Sequence, residues 1–383
     1  MMRPRVLFYV QHLLGIGHLV RGTRIARALA RNGFAVDLVL GGMPVPGLDV
    51  GDARLVALPA VRAGSGFSRL LDERGEPFGE AAQKDRRDRL LAHFDAFCPH
   101  VVLIEAFPFG RRQMDFELLP LLDRIERAAQ RPLVAVSIRD ILQRGRKPER
   151  EQQTVEIVER HVDLVLVHGD GRLVRLAETF PLASRFADRI VYTGMVGPEP
   201  SDTAGQRDHE VIVSAGGGAV GEGLIRAALA ARPRTSLRDA RWLVVTGPNL
   251  PPAAESALLR EASPGVELAR FVADLPRRLH GATLSISQAG YNTVADLLAA
   301  RCRSLLVPFA QGGETEQTDR ARRLEASGIV VMIEETKLDA DSLAVAIERA
   351  LTLPKPEPDI DLDGANATAA ILAERLAARA LLA

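Results

Sequence analysis

One histidine stands where it could act as a general base. His18 closes the loop Gly15-Ile16-Gly17, between a short apolar run at residues 5–10 and a segment whose apolar residues recur at helical spacing. An imidazole with its ordinary pKa, near 6.5, can take a proton from a hydroxyl group at neutral pH. Glu105, at the end of the run VVLIE, is the alternative base. The sequence therefore predicts His18 and Glu105 as the catalytic residues.

Two glycine-rich loops could hold an anion. The first is Gly15-Ile16-Gly17-His18, and the second is Ser214-Ala215-Gly216-Gly217-Gly218. Each is predicted between a strand and a helix, where backbone N–H groups and the positive helix end favour negative charge. A single glycine turn often serves only conformational needs. Their occurrence at equivalent points of two successive units favours a bound diphosphate.

Other phosphate-binding patterns fit these loops poorly. Val20 occupies the place of the third glycine of G-x-G-x-x-G, and the second predicted strand ends in LGGMP without an acidic ribose ligand, which disfavours a nicotinamide or flavin site. No GK[ST] follows either loop, so a P-loop ATPase is excluded.

Strands and helices alternate along the whole chain. Strands are predicted at RVLFYV, FAVDLVLGG, HVVLIEAF, PLVAVSIRD and VDLVLVHGD, and again at EVIVSAGGG, RWLVVTGP, VELARFV, ATLSISQAG, SLLVPF and IVVMI, with helical segments between many of them. This pattern is typical of an α/β protein with parallel, doubly wound, Rossmann-like sheets. Residues 61–89 lack a clear period and are predicted to form a long loop with a helical end.

The alternation runs twice, which predicts two domains. Residues 194–209, rich in Gly, Pro and polar side chains, form the predicted linker. The expected domains are 1–195 and 207–360, and 361–383 is expected to form a C-terminal helix that packs back toward the first domain.

Part of the second half resembles family 28 glycosyltransferases. The matching pieces are Phe271-Val272, the Gly290 turn with Thr293 and Asp296, Val307-Pro308-Phe309, Glu316-Gln317 and Arg320-Ala321. The resemblance implies the GT-B architecture, in which two Rossmann-like domains face a cleft, with a nucleotide-diphosphate sugar, UDP-linked in the relatives, bound by the C-terminal domain.

The resemblance also implies roles for individual residues. Phe271 and Val272 would lie against the base, Asp296 would grip the ribose in place of the family's Glu, and Glu316 and Gln317 would contact the donor sugar. Glu316 stands where the relative has Gln, which is consistent with a changed sugar preference. The full predicted donor set is Ser214, Gly216, Gly217, Gly218, Arg270, Phe271, Val272, Gln288, Ala289, Gly290, Asn292, Thr293, Asp296, Glu316 and Gln317.

The expected reaction is an inverting transfer of the sugar to a hydroxyl acceptor. The helix end after Ser214, with Arg270, would stabilise the leaving nucleoside diphosphate. No metal or cofactor is expected, because the Asp-x-Asp spacings in 339–341 and 359–363 fall at a helix start and in a Pro-rich tail rather than on a strand-end loop.

The acceptor is expected on the N-terminal domain. Its predicted contacts are Gly15, Gly17, Arg21, Phe107, Phe109, Arg139, Asp140 and His168, which lie in or near loops that follow predicted strands. A sugar or glycolipid acceptor would suit cell-surface polysaccharide or glycolipid synthesis.

Two other functions are open at this point. The run Gly15 to Arg21 also resembles the G-x-G-H-x-x-R loop of nucleotide-sugar hydrolases with the GT-B fold, in which the histidine activates water. The third interpretation is a non-catalytic nucleotide-sugar binding protein.

Composition narrows the class of protein. The 383 residues contain 49 basic and 49 acidic side chains, which disfavours nucleic acid as a partner; residues 1–195 carry a net charge of +5. Cys98 and Cys302 show no metal or disulfide spacing. A cytoplasmic protein is expected, either free or peripheral at the inner face of the membrane.

Overall fold

The computed structural model describes residues 3–13, 15–64, 69–145, 147–199, 208–216, 221–247, 250–272, 274–357 and 359–382. The chain forms two units, Met1–Val196 with Asp361–Ala383, and Gly197–Ile360. The division lies within the predicted linker, 194–209, of which residues 200–207 are outside the described residues.

Unit 1 contains a parallel seven-stranded sheet. Its strands and helices, in chain order, are β1 (Arg5–Val10), α1 (Gly17–Arg31), β2 (Ala35–Leu40), β3 (Arg54–Ala57), β4 (Arg62–Ala63), β5 (Leu70–Leu71), α2 (Glu80–Phe97), β6 (Val101–Glu105), α3 (Asp115–Glu126), β7 (Leu133–Arg139), α4 (Pro148–His161), β8 (Leu164–His168) and β9 (Ile190–Tyr192). The sheet order is β3-β2-β1-β6-β7-β8-β9, and all its pairings are parallel. The doubly wound prediction is confirmed for this unit.

Helix α1 begins beside the end of β1 and packs closely on that strand. A Cβ added to Gly22 would lie 2.8 Å from Val10 Cγ2, so only glycine allows this approach. The buried face of α1 includes Leu19, Ile25 and Leu29. This packing fixes the first turn of α1, which contains His18, against the sheet.

Unit 2 repeats the plan with six parallel strands. Its elements are β10 (Val211–Ser214), α5 (Glu222–Ala231), β11 (Trp242–Val245), α6 (Pro252–Glu261), β12 (Val266–Ala269), α7 (Leu275–Gly281), β13 (Leu284–Ser287), α8 (Tyr291–Ala299), β14 (Ser304–Leu306), α9 (Glu316–Ala326), β15 (Val331–Met332) and α10 (Ala340–Thr352). The sheet order is β12-β11-β10-β13-β14-β15. Its core contains Trp242, Leu258, Leu305 and Ile347, all fully buried.

The chain returns to unit 1 in helix α11 (Gly364–Leu382), which packs against α1. Asn366 accepts a hydrogen bond from Asn32 at 3.3 Å, and the Gly364 N–H donates to the carbonyl of Met195 at 3.0 Å. The predicted packing of the C-terminal helix toward the first domain is confirmed.

The segment 61–89 has the predicted helical end, but the predicted loop before it also contains two short strands. Residues 62–63 and 70–71 form an antiparallel pair, and α2 then extends for 18 residues from Glu80. The fully buried positions of α2 are Arg86, Leu90 and Phe94, one per turn. Because one of these three is a charged residue, the sequence shows no apolar period, and the length of the helix was underestimated.

Among the helices of the described residues, none combines the length and the apolar character that a membrane span requires.

Candidate active site

The two predicted catalytic residues meet at the point where the strand order of unit 1 reverses. The chain winds outward from β1 to β3 on one side and from β6 to β9 on the other. Ligands of open parallel sheets bind at the carboxyl ends of the strands that flank such a point. His18 lies in the first turn of α1, after β1, and Glu105 is the last residue of β6.

His18 and Glu105 are directly hydrogen-bonded. The Nδ1 atom of His18 lies 2.8 Å from Oε1 of Glu105. An ionised carboxylate can only accept, so this bond assigns the proton to Nδ1 and leaves a lone pair on Nε2. Arg21 Nη2 lies farther from Nδ1, at 3.3 Å, and donates to Glu105 instead. The His18 side chain keeps 20% of its surface exposed, whereas the Glu105 side chain is fully buried. Glu105 therefore orients the imidazole and is not itself accessible as a base.

Two further donors hold the Glu105 carboxylate. Arg21 donates to Oε1, and Ser137 Oγ donates to Oε2 at 2.5 Å. Burial alone would raise the pKa of Glu105, but the Arg21 charge and the hydrogen bonds from His18 and Ser137 hold it well below its ordinary value. The carboxylate is thus ionised at neutral pH.

The same environment keeps His18 neutral. Burial, and then the charge of Arg111, lower the pKa of His18 to about 3, although the hydrogen bond to Glu105 acts in the opposite direction. An imidazole that is neutral, fixed in one tautomer and partly exposed can accept a proton from a bound hydroxyl group at Nε2.

Arg111 was not among the predicted site residues. It lies in the loop after β6 in the left-handed region, with φ 61°, and Ala106 of the same loop has φ 68°. Its Nε donates to the carbonyl of Gln11 at 2.9 Å, and burial lowers its pKa to about 10. Non-glycine residues with such backbone angles cluster at functional sites. The only sequence signal was its place in the strand-end loop AFPFGRR.

The predicted acceptor contacts separate into two groups. Gly15 and Gly17 are exposed, and Arg139 is partly exposed. Arg21, Asp140 and His168 are 2% exposed or less, and Phe107 and Phe109 are 1% and 3% exposed. These five residues present no surface to an acceptor, so the prediction of direct contact is wrong for them.

Each buried residue has an internal partner instead. Arg21 bonds Glu105, and Asp140 accepts a hydrogen bond from the Ile141 N–H at 2.8 Å. The Phe109 ring packs edge-on against Phe180 with 5.4 Å between centroids, within the core of unit 1. Strand-end position, which the sequence showed, does not reveal which side chains turn inward.

Unit 2 has a matching reversal of strand order between β10 and β13. Ser214 ends β10, and Gly216 adopts the left-handed conformation, with φ 71°. Gln288 follows β13, and its N–H donates to the carbonyl of Ser214 at 3.2 Å. Gly217 and Gly218, which belong to the predicted diphosphate loop, lie outside the described residues.

The predicted base and ribose contacts lie near that reversal. Phe271 is 67% exposed, so it is not part of the core, and Val272 is half-buried. Gly290 precedes α8, and Asn292, Thr293 and Asp296 are partly exposed within that helix. Arg270 is exposed and bonds Glu255 through Nε at 2.8 Å, so its charge already has a partner.

Glu316 and Gln317 brace the loop after β13. Glu316 is 3% exposed and bonds the fully buried Arg320 at 2.9 Å, which leaves it no surface for a sugar. The Gln317 side-chain oxygen accepts the N–H of Ala289 at 3.0 Å, and Arg320 donates to the carbonyl of Ala289 at 2.9 Å. The burial of Glu316 contradicts the predicted sugar contact, because its carboxylate is paired with the buried Arg320 instead.

Residues 211–370 match the model of the glycosyltransferase family 28 C-terminal domain. The chain is 30% identical over 206 residues to the UDP-N-acetylglucosamine--N-acetylmuramyl-(pentapeptide) pyrophosphoryl-undecaprenol N-acetylglucosamine transferase of Herminiimonas arsenicoxydans, covering 48% of this chain and 57% of the relative. The enzyme of the same name from Listeria welshimeri is 27% identical over 179 residues, or 43% of this chain and 49% of the relative. The matched region is about half the length of these two relatives.

Solved structures share the fold over nearly the whole chain. The calicheamicin glycosyltransferase CalG4 matches with a TM-score of 0.61 at 17% identity, covering 99% of this chain and 95% of that protein. MurG of Acinetobacter baumannii matches with a TM-score of 0.58 at 14% identity, covering 97% and 99%. The chain has the GT-B fold and is similar to family 28 glycosyltransferases. The match of residues 211–370 confirms the predicted resemblance to family 28 glycosyltransferases.

Proposed function

We propose that this GT-B chain is an inverting, metal-independent glycosyltransferase. It would move a sugar from a nucleotide-diphosphate sugar, with UDP as the expected nucleotide, to a hydroxyl acceptor. The hydrogen-bonded pair of His18 and Glu105 carries this proposal, because it supplies a neutral base with an oriented lone pair. The family 28 match of residues 211–370 supports a nucleotide-sugar donor.

In the proposed reaction the acceptor hydroxyl attacks the anomeric carbon of the donor sugar while its proton moves to Nε2 of His18. The imidazolium that forms would be stabilised by the Glu105 carboxylate, which lies 2.8 Å from Nδ1. The bond to the nucleoside diphosphate breaks, and the diphosphate leaves with the electron pair. Inversion follows from this single displacement.

The departing diphosphate needs positive partners. Gly216 and the turn between Gln288 and α8 lie at adjacent strand ends of unit 2, where N–H groups at strand-to-helix turns favour an anion. We assign the donor to these loops and the partly exposed face of Asn292, Thr293 and Asp296. Because the proposal involves no metal, turnover should be unchanged by EDTA and should need no added Mg²⁺ or Mn²⁺.

The acceptor would bind near Gly15, Gly17 and Arg139 of unit 1. Arg111 lies close enough to His18 to affect its pKa, and among the described residues only Gln11 accepts a hydrogen bond from its guanidinium. An acceptor that carries a negative charge would therefore find a partner there. A sugar or glycolipid of the cell surface is the proposed class, with the protein at the inner face of the membrane when the acceptor is lipid-linked.

A thermal-shift screen with UDP, GDP, dTDP and their sugars tests donor binding without a known acceptor. UDP and at least one UDP-sugar should raise the melting temperature, and no shift with any nucleotide would contradict the proposal. Turnover is then followed as UDP release with candidate acceptors, and His18→Ala should lower it by about 10²- to 10⁴-fold. Stoichiometric sugar release from the donor alone would instead identify a nucleotide-sugar hydrolase, and binding without turnover would identify a non-catalytic protein.

A further inference from the structure

A chain of buried polar side chains continues from the pair of His18 and Glu105 into unit 1. Ser137 lies on β7, His168 ends β8 and Thr193 follows β9. The Oγ atom of Ser137 bonds Glu105 and lies 2.8 Å from Nε2 of His168, whose Nδ1 lies 2.8 Å from Oγ1 of Thr193. Ser137, His168 and Thr193 are each 2% exposed or less. Consecutive strands of the sheet thus carry an unbroken hydrogen-bonded chain that ends at the proposed base.

Counting protons fixes the direction of donation along this chain. The Glu105 carboxylate can only accept, so the single hydroxyl proton of Ser137 points to Glu105. The Ser137 oxygen then accepts from the Nε2–H of His168. A neutral imidazole has one N–H, so its Nδ1 accepts from the hydroxyl of Thr193. Every proton in the chain therefore points toward Glu105.

The opposite direction is disfavoured. Thr193 Oγ1 also lies 2.9 Å from the carbonyl of Gly194, so the far end of the chain could donate outward instead. Ser137 would then donate to His168, and its oxygen lone pairs would face the Glu105 carboxylate at 2.5 Å. Such a contact in a buried site has no compensating proton and is repulsive.

We propose that Ser137 and His168 are positioning residues for the His18–Glu105 pair. The N–H of His168 fixes the Ser137 hydroxyl, and that hydroxyl holds Oε2 of Glu105. Oε1 is then left facing Nδ1 of His18, so Nδ1 carries the proton and Nε2 keeps its lone pair. The proposal rests on the proposed function only in naming His18 as the base.

Nitrogen NMR of the full chain labelled with ¹⁵N-histidine tests this arrangement without any substrate. At neutral pH we expect His168 as the Nε2–H tautomer and His18 as the Nδ1–H tautomer. Ser137→Ala removes the donor to Glu105, and His168→Leu removes the group that fixes it. Both should produce a mixture of His18 tautomers.

Both variants should also raise the titration midpoint of His18, by about half a pH unit or more, because a carboxylate with one donor fewer stabilises the imidazolium better. His168→Gln retains an N–H near the position of Nε2 and should restore the parent signals. His161→Gln, on α4 beside Glu126, is the control and should leave the His18 signals unchanged.

The positioning role is overturned if Ser137→Ala and His168→Leu both remain folded by circular dichroism and leave the tautomer and midpoint of His18 as in the parent. If His168→Leu does not fold, the same comparison with Ser137→Ala decides alone. None of these signals depends on turnover. A chain that shows the expected tautomers but transfers no sugar would contradict the proposed function and leave the positioning role standing.

Discussion

At the scale of single residues, the site is defined by which charges are compensated. Glu105 has three donors, from His18, Arg21 and Ser137, so it is a satisfied buried carboxylate rather than a free base. His18 is hydrogen-bonded to this carboxylate and is partly exposed, whereas Glu105 itself is fully buried. The sequence predicted both residues as catalytic. Their separate roles, His18 as the proposed base and Glu105 as the residue that orients it, became clear only from their distance and burial.

The lowered pKa of His18 predicts an unusual pH–rate profile. His18 takes up a proton only near pH 3, so at every pH above that it remains a neutral base. We expect the acid limb of kcat/KM to lie below pH 5, rather than near 6.5. Steady-state UDP release measured across this range, with parallel circular dichroism to exclude unfolding, checks the prediction. A limb near 6.5 in the folded protein would contradict the geometry given for His18.

Arg111 provides a second prediction at this scale. Its charge is the second largest cause, after burial, of the lowered pKa of His18. Arg111→Gln should therefore raise the NMR titration midpoint of His18, whereas Arg111→Lys, which keeps the charge, should raise it less. The exposed Arg124, which bonds Asp95 on the surface, supplies the control variant Arg124→Gln. Equal midpoints in Arg111→Gln and the parent would show that the two groups are not coupled.

At the scale of elements, one buried arginine connects the carboxyl ends of β1 and β2 to two helices. Arg86 of α2 donates to Glu117 of α3 at 2.8 Å, to the carbonyl of Gly41 at 2.7 Å and to the side chain of Gln11 at 2.6 Å. These contacts join two helices to the segments that follow β1 and β2. The loop before His18 is therefore anchored by a helix that the sequence only partly revealed.

Loss of Arg86 should be severe for stability. Arg86→Met leaves the buried Glu117 carboxylate without a positive charge, although the Tyr9 hydroxyl still donates to it, and this costs about 3–5 kcal/mol of unfolding free energy. Arg86→Met combined with Glu117→Leu should recover part of that loss, since no unpaired charge remains. Urea unfolding followed by circular dichroism measures both. Arg124→Gln, which breaks an exposed and solvent-screened pair, should change the free energy of unfolding little. A similarly small effect of Arg86→Met would rule out the anchoring role.

Elements with a clean apolar period were predictable from the sequence, and those with mixed periods were not. The strands β1, β6 and β8 are continuous apolar runs buried on both faces, which is the pattern of a parallel sheet. The full length of helix α2 was not predicted, because a buried arginine takes the place of an apolar residue on its buried face. The sequence also predicted which residues lie at strand ends. The burial of Phe107 and His168 depends on packing between elements, which no local sequence pattern encodes.

At the scale of the whole molecule, each of the two units has its candidate site at the point where its strand order reverses. The repetition of the strand–helix pattern was visible in the sequence, and it led to the confirmed fold. The arrangement of the two sites across a cleft stays a prediction. What the sequence could not show was that polar residues of unit 1 form one buried hydrogen-bonded network around Glu105.

That network predicts how stability depends on pH. Burial, followed by the charge of Arg21, lowers the pKa of His168 to about 3, and the pKa of His18 is lowered to about 3 as well. Between pH 6.5 and 3 the unfolded chain binds protons at these positions and the folded chain does not. The free energy of unfolding should therefore fall as the pH decreases through this window. The depressed pKa of Glu105 acts in the same direction at lower pH, where the unfolded carboxylate is protonated first.

His168→Gln tests this linkage, because glutamine cannot titrate but can keep an N–H toward Ser137. The parent and the variant are unfolded with urea at intervals from pH 7 to pH 4, and the slope of unfolding free energy against pH is compared. The variant should lose less stability on acidification than the parent. An equal slope would mean that folding does not shift the pKa of His168, and a steeper slope would mean that folding raises it, so that His168 is protonated in the folded protein. Its Nδ1 would then donate to Thr193, and the protons at that end of the chain would point away from Glu105.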